Sequence, residues 1–339
     1  MQNLEQVKDG GKLGIVLLNM GGPKTLDDIR PFLYNLFVDP DIIDLPRLLK
    51  PLQKPIAWLI AKFRTPTTTE MYRQIGNGSP ILEITSNLAE KIATQMTTNQ
   101  MSVNATVAMR YTYPRAKDAI EQLQAQQIDQ VILFSQYPHQ ASYTTGSSLN
   151  DFYQALEDSE YQPRKIIEIK EWGTEPEYIT WWTIAIRRIF EEHQIPLNQA
   201  THLIFSAHGL PQRYVDQGEK YPDRIREAAG QVMREIDAIC SKITSHVSFQ
   251  SQAGPVEWTK PYTDELIRKI AEEEGQIIVV VPLGFVSNHV ETLYELDILY
   301  RNEATENGIL KYYRVDVPDD DDHYAMQMAE LIGRRLEAD

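Results

Sequence analysis

Cysteine is almost absent: Cys240 is the only one in 339 residues. A single thiol excludes an intramolecular disulfide and any four-cysteine zinc or iron–sulfur site, and it fits a reducing compartment. Basic charge is also scarce. Thirty-three Lys and Arg stand against 48 Asp and Glu, a formal net charge of -15, and so acidic a chain lacks the broad basic surface that a nucleic-acid partner requires. No apolar run approaches the roughly 20 residues of a membrane-spanning helix. Residues 1–11 are polar, with none of the apolar core of a secretory signal. Strict short repeats and low-complexity segments are missing as well. What is present is 42% hydrophobic content in a chain long enough for about two domains. The expectation is a cytoplasmic enzyme or binding protein.

The hydrophobic pattern alternates between short apolar runs and segments of helical periodicity. Strand-like runs end near Met20, Tyr111, Phe134, Ile169, Phe205, Phe249, Val281 and Val315, and each is followed by a helical segment. Gly14-Ile15-Val16-Leu17-Leu18 is apolar without interruption, which suits a strand covered on both faces of a parallel sheet. Alternating strand and helix is the pattern of doubly wound α/β architecture, and two such sheets fit the length. The expected division is an N-terminal lobe over 1–150, a C-terminal lobe over 151–320 and a final helix over 321–339 that returns to the first lobe.

Open parallel sheets bind ligands beyond the carboxyl ends of their strands, so the residues delivered there are the candidates. The first half delivers Met20, Arg110 and Tyr111, then Gln136 and Tyr137; the second delivers His208, Gln250, Ser251, Phe285, His289 and Glu291. None of these tips carries a phosphate-binding glycine pattern. Aromatic rings, amides, one arginine, two histidines and a carboxylate suit a flat apolar ligand together with proton or metal handling. His208, in Phe205-Ser206-Ala207-His208-Gly209-Leu210-Pro211, is of the residue type that titrates near neutral pH and could accept a proton; taken alone it reads first as a histidine satisfied by hydrogen bonds beside a turn. In a helix opening after His289, Glu291 and Glu295 would share one face and could pass a divalent cation along a row. Acids at a solvated helix start are also ordinary.

Residues 41–66 stand apart. Eleven large apolar residues, among them Leu48, Leu49, Trp58, Leu59 and Phe63, are interleaved with Arg47, Lys50, Lys54, Lys62 and Arg64 against only Asp41 and Asp44. Pro46, Pro51 and Pro55 argue against one long helix. The stretch reads either as a two-helix excursion packed on its neighbour or as an apolar, basic-rimmed lip that touches a membrane or admits a greasy anionic ligand.

Six ordered motifs complete the sequence reading: LLNMGGP at 17–23, YRQIGNGSPI at 72–81, FSQYPHQASYTTGSS at 134–148, FSAHGLP at 205–211, FQSQAGPVEW at 249–258 and HVETLYELD at 289–297. Together they closely resemble the ferrochelatases, which insert ferrous iron into a porphyrin in the last step of haem synthesis. The resemblance implies a class II chelatase-like fold: two similar Rossmann-like lobes, each a four-stranded parallel sheet flanked by helices, with a porphyrin cleft between them. It implies that His208 accepts pyrrole protons or guides the metal, with Glu291 as its acidic partner and the metal met by His208, Glu291 and Glu295. Met20, Arg110, Tyr111, Trp258, Phe285 and His289 become porphyrin-binding candidates, with Arg110 expected to hold the propionates. Residues 41–66 become the family's apolar lip, on the cytoplasmic side of a membrane. Iron is then a substrate, no cofactor is permanently bound, and the state is monomer or homodimer. The implied substrate is protoporphyrin; the alternatives are coproporphyrin and a non-catalytic porphyrin carrier. Two departures matter. Asn288 and Leu299 stand where family members often carry acids, so the metal path is expected to be short or to use Asp297.

Overall fold

A computed structural model describes residues 12–43, 45–98, 101–198, 200–236, 239, 242–273 and 276–338. Cys240, Asp44, Glu274 and the N-terminal residues read above lie outside them. The chain divides into two compact units, Met1–Lys170 with Asp319–Asp339, and Glu171–Pro318.

The first unit is built on a parallel sheet of β1 (Lys12–Asn19), β2 (Ser102–Met109), β3 (Gln130–Ser135) and β4 (Lys165–Ile169), in the order β2-β1-β3-β4. β1 lies inside the sheet, paired on both edges, and its residues from Leu13 to Asn19 are all buried. This is why its sequence is a continuous apolar run. The helices are α1 (Ile29–Val38), α2 (Gln53–Gln74), α3 (Ile81–Met96), α4 (Ala116–Ala125) and α5 (Ser147–Glu157). Val16, Leu18, Ile120, Leu123, Val131, Leu133 and Phe152 meet in one core cluster between the sheet and helices α4 and α5. The expected boundary at residue 150 is therefore corrected. α5 packs in that cluster and β4 pairs with β3, from Gln130↔Lys165 to Phe134↔Ile169, so the first unit runs to Lys170.

The second unit repeats the plan with β5 (Thr201–His208), β6 (Thr244–Gln250), β7 (Ile277–Val281) and β8 (Lys311–Arg314), in the order β6-β5-β7-β8. Its helices are α6 (Pro176–Glu192), α7 (Gln212–Asp216), α8 (Tyr221–Glu235), α9 (Thr263–Glu272) and α10 (Tyr300–Glu306). Ile204, Ile267, Ile270, Ile278, Val280, Leu296 and Tyr300 form a core cluster on one face. The last helix, α11 (Asp322–Ala338), belongs to the first unit and packs on α3. Lys91 of α3 bonds Asp322 at 2.8 Å.

Two local features differ from the sequence reading. The two-helix excursion expected over 41–66 takes a different form. A short 3₁₀ turn, Arg47–Leu52, leads into the 22-residue α2, which continues through Pro66. Pro55 falls in the first turn, where no N–H is needed. Around Pro66, the hydroxyls of Thr65 and Thr69 donate to the carbonyls of Ala61 and Thr65 at 2.7 Å each. The helix expected after His289 opens as a nine-residue π-helix, Glu291–Leu299, before α10.

Because β5 carries His208 at its end, its core contacts hold the site in place. Ile204→Ala is expected to lower stability by about 2–5 kcal/mol, whereas Leu48→Ala, at a surface position 92% exposed, should stay within about 0.5 kcal/mol. Chemical denaturation checks both; equal losses would contradict the packing described.

Candidate active site

β5 and β6 are parallel and in register through His208↔Gln250. The two strands therefore end level and deliver His208 beside Gln250 and Ser251. Gly209 allows this junction, since its N–H donates to the Gln250 carbonyl at 2.8 Å and an added Cβ would sit 3.0 Å from that oxygen. The Ser206 hydroxyl donates to Oε1 of Gln250 at 2.7 Å, which turns the Gln250 Nε2 outward. That amide donates to the Glu291 carbonyl and to Glu295 Oε2, both at 3.1 Å. The end of the sheet is thus bolted to the π-helix.

The central contact is His208 Nδ1 to Glu291 Oε2 at 2.8 Å. Ser251 sits beside it with its Oγ 2.7 Å from Glu291 Oε2 and 2.6 Å from Glu295 Oε2. It does so at a φ of 65°, a left-handed backbone that a non-glycine residue seldom adopts. One hydroxyl has one hydrogen, so Ser251 donates to one of the two carboxyl groups at a time.

The electrostatics separate the two acids. Burial pushes the Glu291 carboxyl up, but the charge and hydrogen bond of His208, helped by His289, hold it well below the ordinary 4.5. For Glu295, burial and then the Glu291 charge act together and push its pKa up to about 7. Of the two acids, Glu295 is the one that takes up a proton first as the pH falls. Burial pulls His208 down, and the Glu291 charge and hydrogen bond more than reverse this, leaving its pKa above 6.5. The result is an imidazolium–carboxylate pair backed by an acid that titrates near neutrality.

Other candidates of this unit gather at the same place. The Trp258 ring meets His208 edge-on at 6.2 Å, and its indole N–H donates to the Ala253 carbonyl. Phe285 lies 4.9 Å from the His289 ring. His289 Nδ1 is 2.9 Å from the Ser287 carbonyl, which leaves Nε2 directed at Glu291, 3.8 Å away. Asn288 accepts a hydrogen bond from the Thr292 hydroxyl and so anchors the helix start.

Asp297 does not extend the acid row. Arg314 Nε holds it at 2.7 Å, so its charge is spent on a structural pair. Leu299 is 44% exposed, and the row ends at Glu295. Among the described residues no three His, Cys, Asp or Glu side chains are gathered as a metal-holding group. His208, Glu291 and Glu295 are tied to one another and to Ser251 instead.

In the first unit, Met20 is half-buried at the end of β1, while Arg110 and Tyr111 belong to a closed network. The Arg110 guanidinium contacts Asp39 at 2.8 Å, Asp151 at 3.3 Å and the Ser147 hydroxyl at 2.7 Å. The Tyr111 and Ser147 hydroxyls both donate to the buried Asp39, at 2.7 and 2.6 Å. The guanidinium expected to hold an anionic ligand is thus already neutralised by two carboxylates. Nothing near Asp39 in the sequence marks it as the hub, because its side-chain partners Arg110, Tyr111 and Ser147 lie 71 to 108 positions away in the chain. Ser251 was visible as a strand-end residue, but its role depends on a backbone angle that no pattern announces.

A family model for ferrochelatase matches residues 12–336. The chain belongs to the ferrochelatase family. A ferrochelatase of Synechococcus sp. (strain CC9311) is 37% identical over 330 residues, covering 96% of this chain and 83% of that protein. One from Nostoc punctiforme is 38% identical over 327 residues, covering 95% and 82%. Among solved structures, SirB from Bacillus subtilis with Fe3+ superposes with a TM-score of 0.54 at 10% identity, covering 96% of this chain and 95% of that one; at that identity the likeness concerns the fold. As a ferrochelatase-family member the chain is a metal chelatase, a lyase.

The opposing causes acting on His208 predict a downward shift when Glu291 is neutralised. Proton-detected titration of the imidazole should give a pKa above 6.5 in the wild type and a lower one in Glu291→Gln, where only the Glu295 charge still opposes burial. An unchanged value would contradict the pairing.

Proposed function

We propose that this ferrochelatase inserts ferrous iron into protoporphyrin IX, releasing two protons and forming protohaem, the terminal step of haem synthesis. The observation that carries the reading is the His208–Glu291 pair backed by Glu295. A free porphyrin holds two pyrrole protons that must leave as the metal enters. His208, once unprotonated, accepts such a proton, and Glu291 stabilises the imidazolium that forms. Glu295, with its pKa at about 7, can take up or release a proton at neutral pH through the Ser251 hydroxyl. Trp258, Phe285 and His289 offer aromatic surface to the macrocycle. Ferrous iron is a substrate in this reading, met by His208, Glu291 and Glu295, and no resident cofactor takes part.

The lip supports a protoporphyrin-class substrate and attachment to a membrane surface. Leu48 is 92% and Phe63 72% exposed, and Leu49, Leu52, Trp58 and Leu59 are exposed beside them. Arg30 and Lys62 lie 5.2 and 5.3 Å from the Trp58 ring. Apolar groups rimmed by cations suit the interface of an anionic bilayer. Among the described residues no helix is long and apolar enough to cross a membrane, so this attachment is peripheral. A more polar mouth would suit the extra propionates of coproporphyrin.

Anaerobic mixing of ferrous iron with protoporphyrin, coproporphyrin or uroporphyrin, followed by absorbance, tests the reaction. Protoporphyrin should be the best substrate; tight porphyrin binding with no insertion would leave only a carrier. His208→Ala should lower turnover by about 10²–10⁴-fold with porphyrin affinity nearly unchanged, and full turnover would remove His208 from the chemistry. The double variant Trp58→Ser with Phe63→Ser should lose co-sedimentation with anionic liposomes while keeping insertion of detergent-dispersed porphyrin. Undiminished co-sedimentation would contradict the role given to the lip.

A further inference from the structure

The end of the second sheet opposite His208 carries a second pair of histidines that the reaction does not use. Their rings lie nearly parallel, 15° apart, with His202 Nδ1 3.0 Å from His246 Nε2. The ladder explains why they meet. His202 pairs with Thr244, and His246 with Ile204, so both side chains leave the same face of adjacent parallel strands. His202 is buried and His246 half-buried, which fixes the two rings without closing them off from water. The last turn of α9 faces them: Lys269 and Glu273, the charged groups that act on this pair, come from that turn and the residue after it. A helix C-terminus with a carboxylate is a favourable place for a cation. The Lys269–Glu273 contact at 3.7 Å is surface-exposed and weak.

We propose that His202 Nδ1 and His246 Nε2 form a binding site for a divalent transition-metal ion of the imidazole-preferring kind, such as Cu2+, Ni2+ or Zn2+. The two nitrogens supply the protein ligands and water completes the coordination shell. Two neutral imidazoles share one hydrogen in their present contact. Binding needs only that this hydrogen move to the far nitrogen of its own ring, so each ring turns a lone pair to the metal and no net proton is lost. The two near nitrogens then open from a hydrogen-bonded separation to one that admits the ion, a side-chain movement at the sheet margin. Six residues of extended β5 separate His202 from His208, about 20 Å. The site is therefore distinct from the one at which metal is inserted and does not depend on the reaction assigned there.

The test uses Cu2+ alone with the full chain, without porphyrin, read by electron paramagnetic resonance and by loss of amide signals next to the paramagnetic ion. The expected result is one bound Cu2+ with two-nitrogen hyperfine splitting, retained in His208→Ala and weakened by about tenfold or more in His246→Gln. In the unmodified chain, amides of 201–203 and 245–247 should broaden at lower Cu2+ than those of 207–209. This second readout needs no variant and stands even if His246→Gln folds poorly. Cu2+ broadening confined to 207–209, or binding abolished by His208→Ala and untouched by His246→Gln, would overturn the proposal. Absence of metal insertion with the His202–His246 site intact would instead bear on the reaction alone.

Discussion

The hydrogen bond between His208 and Glu291 joins groups 83 positions apart in the chain, and most of the second unit serves to hold it. β5 brings the histidine to the carboxyl end of a buried parallel sheet, and the loop after β7 brings the acid to the first turn of a π-helix. Each ionised form is what makes the other stable in a buried place. Removing one partner would leave the other as an unpaired buried charge, a costly state. The pair therefore sets the protonation of its surroundings: the Glu291 charge raises Glu295, and Ser251 spans the two acids from a strained backbone.

The same constraint explains which polar residues are buried nearby. Ser206 orients the Gln250 amide, and Thr263, at the start of α9, lies 2.9 Å from the Ser248 hydroxyl and 3.4 Å from that of Ser206. These hydroxyls would be a liability in an apolar core if unpaired. Linked together, they tie β5, β6 and α9 near the carboxyl end of the sheet. In the first unit Asp39 plays the corresponding part, fixing Arg110, Tyr111 and Ser147 with one buried carboxylate.

Much of this was legible in the sequence because it rests on periodicity. The inner strands are marked by apolar runs such as Ile277–Val281, buried at every position, and His208 and Glu291 stand where parallel strands place functional groups. What was hidden rests on geometry that periodicity does not encode. The π-helix at Glu291–Leu299 has the same apolar spacing as the start of an ordinary helix. α2 runs through Pro66, although proline alone argues for a break. Arg110 looked like a ligand-holding cation, since Asp39 and Asp151 are far from it in the chain. Asp297 looked like part of the acid row until Arg314, seventeen residues on, was found to hold it. The domain boundary moved for a similar reason: the pairing of β4 with β3 is a long-range fact.

The central claim is that His208, raised by Glu291, must be unprotonated to accept a pyrrole proton. The pH dependence of kcat/KM for iron insertion tests it most directly, because this quantity reports the free enzyme's essential base. Activity should rise with pH through an apparent pKa above 6.5, and that limb should vanish from the residual activity of His208→Ala. A wild-type profile flat across the neutral range, or a limb that survives in His208→Ala, would contradict it.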